Sequence, residues 1–386
     1  MESKRRNIYF DNGSTSYPKA PGVADAVAHL LTHGAFNINR GNYEGAYEVA
    51  EMVLETREKL AALFGASDSR QVVFTPGITF SLNYFIKGLL KPGDHVLISG
   101  LEHNGVMRPL HQMEKCGITW EIVPTDMDGT VLPENVESCI RKETKAVIML
   151  HASNVCGTIL PIGEIGEICH RYGLYFAVDT AQSAGSIPVK MQEWHIDFLA
   201  FTGHKGLLGP QGIGGFLLSD RLNEVLVPVI TGGTGSQSDS YDVPDTLPDK
   251  FESGTMNLPG IAGLHAALSY IEKVGMDKIH GKKMELTEYF LEQIGQFSDI
   301  RVVGKQGIHD RVAVVSLDFQ GRDNAVVAFE LEQNYGIMTR VGLHCAPLAH
   351  ETLHSYPQGT VRFAFSASNT KEEIDVCIHA IREIDI

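Results

Sequence analysis

Ala200-Phe-Thr-Gly-His-Lys-Gly-Leu-Leu-Gly-Pro-Gln-Gly-Ile-Gly-Gly215 is the stretch on which the reading of this chain turns. An apolar run, Phe198–Thr202, ends in Thr202-Gly203-His204-Lys205, and a glycine-dense loop leads into a second apolar run at 212–218. The first run reads as a buried strand and the second as a strand running away from the turn. Glycines there let backbone approach closely and adopt positive φ. A lysine at such a strand end can be held against a ligand carbonyl. The plainer reading of the same residues is a solvated lysine beside a turn.

Working outward, further short apolar runs at 71–75, 95–99, 146–151 and Tyr175–Asp179 read as buried strands rich in Val, Ile, Leu and Phe. Helical patterns lie between several of them, as at 161–172 and at 81–90, the latter stopped by Lys91-Pro-Gly-Asp94. Strands alternating with helices imply an α/β fold with a mostly parallel sheet flanked by helices. After Gly260 the texture changes. Long helical stretches (261–274, 277–297) precede strands at 312–317 and 360–365 and helices at 323–335 and 371–384. This is an α+β pattern suited to a smaller domain. The expected division is a large domain over 16–260 and a small one made of 1–15 and 261–386.

Composition bounds the function. The chain has 386 residues, 43% hydrophobic and 20% charged, as in ordinary globular proteins. Its 32 Lys and Arg against 47 Asp and Glu give a net charge of −15, which argues against a nucleic-acid or anionic-membrane surface. Six scattered cysteines without a C-x-x-C pair fit neither a zinc ribbon nor a disulfide framework, and no metal is expected. The polar start, Met1 to Asn7, leads into a strand-like Ile8-Tyr-Phe10 with no apolar signal core. A cytoplasmic, reducing setting is the expectation.

Several other residues could carry chemistry. Asp179 closes a buried strand in Phe176-Ala-Val-Asp179-Thr-Ala-Gln182, where a carboxylate is costly unless paired. A protonated ring nitrogen, a metal or a helix cap would each serve as partner. Val73-Phe-Thr-Pro-Gly77-Ile-Thr79 places a Gly turn and a Thr at a helix start, an anion site from free N–H groups and a hydroxyl, or a plain N-cap. It lacks the Walker Lys-Ser/Thr, and Gly232-Gly-Thr-Gly235 opens no clear helix, so nucleotide binding is a weak reading. His103, in Glu102-His103-Asn104, follows a strand and can stack on an aromatic ring and move protons, although with sixteen histidines any one is more often structural. Cys345 sits in Arg340-Val-Gly-Leu-His-Cys345-Ala-Pro, a Gly/Pro-containing loop that favours an exposed, reactive thiol over an inert buried one. Arg362, in an apolar strand, suits bidentate capture of a carboxylate or a structural ion pair.

Taken together the sequence resembles the class V aminotransferase group of pyridoxal 5'-phosphate (PLP) enzymes, in particular cysteine desulfurases and selenocysteine lyases. The resemblance runs nearly end to end, through Tyr9-Phe-Asp-Asn12, Gly77–Thr79 and Glu102-His103-Asn104 to Ser153-Asn-Val155, Asp179 to Gln182 and Thr202 to Lys205. It continues through Glu252 to Asn257, His344-Cys-Ala346 and Asn369-Thr-Lys-Glu-Glu-Ile374. It implies PLP fold type I. It also implies that Lys205 would hold PLP as a Schiff base and shuttle the Cα proton. Asp179 would pair with the ring nitrogen, Gln182 with the ring hydroxyl, and His103 would stack over the ring. The phosphate would sit among Ile78 N–H, Thr79, Thr202 and His204, with Thr255 arriving from a second subunit of a homodimer. Asn154 and Arg362 would hold the substrate carboxylate.

Cys345 would then be the sulfur acceptor, with His344 or His103 taking its proton and the Cys345 loop travelling between Gly342 and Pro347. The expected reaction is release of sulfur from cysteine, giving alanine and a Cys345 persulfide, with an acceptor protein downstream. The alternatives are selenium release from selenocysteine, transamination on the same scaffold, or a binding protein that keeps the fold without catalysis. One departure stands out. Many relatives with this cysteine loop carry a His-Arg-Gly-x-His run near the N-terminus, and here it is Asn39-Arg-Gly-Asn-Tyr43.

Overall fold

The computed structural model describes residues 7–34, 36, 38, 43–237 and 239–384. The segment 39–42, in which Asn39 replaces one of the relatives' histidines, lies outside the described residues; Tyr43, which replaces the other, is described and exposed.

Strands and helices alternate through the first two thirds of the chain. After β1 (Ile8–Tyr9) and the helix Glu44–Phe64 come β2 (Val72–Thr75), the helix Ile78–Leu89 and β3 (His95–Ile98). Then follow β4 (Thr119–Ile122), β5 (Thr144–Leu150), the helix Ile162–Arg171, β6 (Tyr175–Asp179), β7 (Phe198–Thr202) and β8 (Gly214–Leu218). Strands β2 to β8 form one seven-stranded sheet in the order β2-β8-β7-β6-β5-β3-β4, parallel from β4 to β7, with β8 antiparallel to both its neighbours. Alternate residues enter two cores. Leu97, Val147, Phe176, Val178, Leu199 and Phe201 face one side with the helix Glu44–Phe64. Val96, Ile98, Ile148, Ala177, Phe198 and Phe216 face the other with Leu82, Phe85 and Ile86 of the helix Ile78–Leu89. Burial on both faces is why these strands read as continuous apolar runs.

The last third builds a second sheet. After the helices Leu258–Val274 and Met276–Ile294, strands β9 (Ile300–Val303), β10 (Val314–Phe319), β11 (Ile337–Met338), β12 (Arg340–Gly342) and β13 (Thr360–Ala364) appear. Four of them form an antiparallel sheet in the order β12-β13-β10-β9, while β11 pairs with β1. A third core joins Ile8 and Phe10 to Phe290, Val315, Leu317, Phe363 and Ile378. The helix Leu258–Val274 instead packs Ile261, Leu264, Leu268 and Ile271 against the first core, so a division at residue 260 falls within that helix. No helix among the described residues is long and apolar enough to cross a membrane.

Register places the site. Leu150 pairs with Asp179 and Asp179 with Ala200, so the C-terminal ends of β5, β6 and β7 lie side by side. On the far side Thr202 and Thr75 both pair with Gly214 of β8. A Cβ at Gly214 would lie 2.7 Å from Phe201 O, 2.9 Å from Gly77 Cα and 3.2 Å from Thr202 Cα, all of them backbone atoms that yield only if the strand ends move. Gly214→Ala is therefore expected to lower stability by about 1–3 kcal/mol, as overpacking does, measured by denaturant unfolding against wild type.

Candidate active site

Lys205 lies in the turn that leaves β7, and that turn is held from several directions. Gly203 N–H donates to Ile213 O at 2.9 Å and Leu208 N–H to Lys205 O at 2.9 Å. The carbonyl of His204 accepts from Ser16 N–H at 2.9 Å and Lys19 Nζ at 3.0 Å, tying the turn to the N-terminal segment. Desolvation lowers the Lys205 pKa from its ordinary value to about 8; Asp179 opposes this, and the guanidinium groups of Arg362 and Arg340 add to it. Asp179 is 5% exposed, and its Oδ1 accepts from Ala181 N–H at 2.8 Å. Burial raises its pKa, against the N–H bond and the Lys205 charge. A half-buried lysine and a buried carboxylate thus face one site from adjacent strand ends.

His103 begins the helix Asn104–Glu114 as its N-cap, with Nδ1 accepting from Gly105 N–H at 2.9 Å. That bond assigns the ring proton to Nε2. Desolvation, reinforced by Lys205, Arg340, Arg108 and Arg362, lowers the His103 pKa to about 4, so the ring is neutral at pH 7. The preceding Glu102 is fully buried. Its Oε1 accepts from Ser99 Oγ at 2.5 Å and Leu150 N–H at 3.0 Å, and burial lifts its pKa to about 8. It ties the segment carrying His103 to the end of β5.

The opposite end of the site offers N–H donors and hydroxyls. Gly77, with φ 157° and ψ 171°, caps the helix Ile78–Leu89 in a conformation close to glycine-only backbone, and no side chain caps that helix. Thr79 is therefore not an N-cap. It is exposed on the first turn, beside the Ile78 N–H, where anions are favoured. Thr202 Oγ1 is the nearest atom to a Cβ built on Gly77, at 3.9 Å. His204 has a buried Nδ1 without a partner among the described residues and a pKa lowered to about 4, mainly by desolvation. Gln182 is turned to the N-terminal segment, its Nε2 donating to Gly13 O at 3.0 Å.

The third side belongs to the second sheet. Arg362, 1% exposed on β13, donates from Nη2 to Asp11 Oδ1 and Ser14 Oγ, each at 2.8 Å, and from Nη1 to Asn154 O at 3.0 Å. The structural ion pair considered from sequence is thus present, and only Nε of this guanidinium lacks a partner. Asn154 donates from Nδ2 to His344 O at 2.9 Å and leaves its buried Oδ1 unpartnered. Cys345 is exposed, and its Sγ accepts from Arg340 Nη2 at 3.3 Å. Its carbonyl accepts from Asn104 N–H at 2.8 Å.

Here the structure departs from two expectations. His344 points away from the sulfur: it is 3% exposed, Nε2 meets Thr360 Oγ1 at 2.9 Å, and burial holds its pKa well below the ordinary histidine value. The segment between β12 and the helix Pro347–Thr352 is short, pinned at the carbonyls of His344 and Cys345, and strained, with φ of 49° and 59° at those two residues. Thr255 also stands apart, exposed on a surface groove with Pro76, Phe80 and Ile230. Sequence reasoning missed Arg340, Asp11 and Ser14, which meet around Arg362 and Cys345, and gave Glu102 no role. The Arg at β12, five residues before the Cys, carries no signal in the sequence until β12 pairs with β13.

Among the described residues, buried polar atoms without partners gather at this site: His204 Nδ1, Asn154 Oδ1 and Arg362 Nε. Such atoms call for a polar ligand. A ring with an acidic N–H toward Asp179, an aldehyde toward Lys205 and an anionic group toward Ile78, Thr79 and His204 matches the donor set on three sides. Residues 8–377 match the family described as Aminotransferase class-V, and the chain belongs to that family of PLP enzymes. Over 98% of its length it is 33% identical to a probable cysteine desulfurase of Methanothermobacter thermautotrophicus, covering 95% of that relative. It is 34% identical to a probable cysteine desulfurase of Halobacterium salinarum, over 97% of this chain and 91% of that one. The fold is PLP fold type I, shared with the apo cysteine desulfurase of Thermococcus onnurineus at 31% identity and a TM-score of 0.91 over 98% and 94% of the two chains.

With its pKa near 8, Lys205 is largely uncharged only above that pH. Its condensation with added PLP is expected to accelerate with a midpoint near pH 8, not near 10.5, and to vanish in Lys205→Ala. Stopped-flow absorbance with borohydride trapping reads both.

Proposed function

We propose that this chain is a PLP-dependent cysteine desulfurase that converts L-cysteine to L-alanine and leaves the sulfur as a persulfide on Cys345. The observation that carries the reading is the exposed Cys345 thiol, held at its sulfur by Arg340 and at its backbone beside Asn154 and His103, in a site that also contains Lys205 and Asp179. PLP bound there supplies the electron sink that makes the substrate Cα proton removable.

The residues divide the work. Asp179 keeps a negative charge against the ring nitrogen, and Lys205, with a pKa near 8, takes the Cα proton and returns it. His103 would stack over the ring as a neutral imidazole. Arg362 and Asn154 would hold the substrate carboxylate; Asp11 neutralises Arg362 in the meantime, Ser14 Oγ accepts from it, and both would give way to the substrate. The Cys345 sulfur then attacks the substrate sulfur. A new S–S bond forms, the substrate Cβ–S bond breaks with its electron pair on carbon, and protonation there completes alanine. The Cys345 thiol proton would pass to solvent, to which the side chain is exposed, and the Arg340 guanidinium would donate to the resulting thiolate; an arginine takes no proton itself. Since the segment is short and pinned, the reach comes from side-chain rotation and substrate placement.

Thr255 supports a homodimer in which it joins the phosphate end of the partner's site. Its groove is lined by the exposed apolar residues Phe80 and Ile230, a surface suited to a second copy. A cytoplasmic setting, with an acceptor protein taking the persulfide sulfur, completes the proposal.

The test is a product assay. Purified protein with PLP is expected to release alanine and, with a reductant, sulfide from cysteine. Cys345→Ser should lose about a hundredfold or more of this activity. Selenocysteine is run in parallel: alanine release from it that survives Cys345→Ala, with none from cysteine, would assign a selenocysteine lyase. Transfer of the amino group to a keto acid without sulfide would assign a transaminase. Arg362→Lys, which loses the planar fork, is expected to raise KM for cysteine about tenfold.

A further inference from the structure

A cavity of about 40 Å3, room for a single small ion, lies between the Lys205 turn, the N-terminal segment at Asn12–Ser16, the helix Met276–Ile294 and strands β10 and β13. Its polar lining includes Lys205, Lys283, His280, Ser16, Ser186 and Ser366, while Leu208, Val312 and Phe365 supply apolar wall. In a chain with 47 acidic residues, no Asp or Glu lines it. Two amines and an imidazole converge there, and their only polar company is hydroxyls, amides and backbone.

Lys283 is the unusual member. It is 8% exposed, and its Nζ has one hydrogen bond, to Ser186 Oγ at 3.3 Å. An ammonium carries three donors, so two of them face a lining without a counter-charge. Lys205 differs, since Asp179 lies near it. Burial alone lowers the Lys283 pKa to about 8, so at neutral pH the group is mostly a buried cation, which is costly unless an anion compensates it. The proposed desulfurase chemistry gives Lys283 and His280 no task.

We propose that Lys283 anchors a site for a small inorganic monoanion of the halide class, bridging the helix Met276–Ile294 to the Ser186 and Lys205 segments of the large sheet. One ammonium balances one negative charge, hydroxyl donors complete the shell, and the apolar wall disfavours a more highly charged ion. A bound anion fastens the helix Met276–Ile294 to the structure behind Lys205, so it stabilises the folded chain by mass action. The charged or titratable groups facing the anion are His280 on the same helix as Lys283 and Lys205 from the turn after β7.

The test uses the full chain as purified with PLP, and sodium bromide as the probe against sodium gluconate at equal ionic strength. Lys283→Met keeps the length of the side chain and removes its charge. Wild type is expected to unfold about 2–5 °C higher in bromide relative to the difference shown by Lys283→Met. Crystals grown in bromide should show an anomalous peak within hydrogen-bond reach of Lys283 Nζ. An equal salt difference in both proteins, or bromide peaks at surface positions alone, overturns the proposal. Should Lys283→Met fail to fold, wild type decides by pH: the bromide increment fades as pH rises well above 8, and an increment unchanged across that range refutes the site.

Discussion

Leu150, Asp179 and Ala200 are neighbours across three parallel strands, and everything at the site depends on that register. Parallel strands end on the same edge, so the carboxylate of β6 and the amine in the turn after β7 emerge together without any loop having to bring them there. A one-residue slip would turn Asp179 toward the core formed by Val147, Val178 and Leu199, where no partner waits. Glu102 uses the same edge. It accepts the Leu150 N–H at the end of β5 and so fixes the segment that carries His103.

The second sheet is joined to this edge through polar contacts. The N-terminal segment crosses between them: Asn12 N–H reaches Ala364 O at 3.3 Å and Ser16 N–H reaches His204 O at 2.9 Å. Arg362 and Arg340 both donate to Ser14 Oγ, so two guanidinium groups share one hydroxyl at the seam. Desolvation and the neighbouring Arg340 charge both act against the Arg362 cation, and Asp11 is the carboxylate that offsets them.

Much of the large sheet was legible in the sequence because strands buried on both faces are continuous apolar runs. Tyr175–Asp179 and Phe198–Thr202 have the expected ends. What escaped has physical reasons. β4 is an edge strand, half-exposed along Thr119–Ile122, and so lacks the apolar signal. The helix Glu44–Phe64 follows a segment without a capping side chain, and its buried Val49, Val53, Leu60 and Phe64 are spread among charged residues. At the site, Lys205, Asp179 and His103 were legible because strand ends and helix starts mark them. Arg340 and Asp11 were not, since their meaning comes from pairing between β12 and β13 and between the N-terminal segment and Ala364, contacts of long sequence separation. The role given to His344 failed for a local reason: the positive φ at His344 and Cys345 turns successive side chains apart, one into the core and one outward.

Asn154 has a further consequence. Its amide holds the carbonyl of His344, the peptide that leads into Cys345, while its own carbonyl is held by Arg362. A pull on the guanidinium is therefore delivered, through one side chain and two hydrogen bonds, to the strained peptide that aims the sulfur. The link acts as a lever: whatever occupies the arginine also sets the tension on the thiol. Under the proposed reading, a molecule without a carboxylate would leave that lever slack.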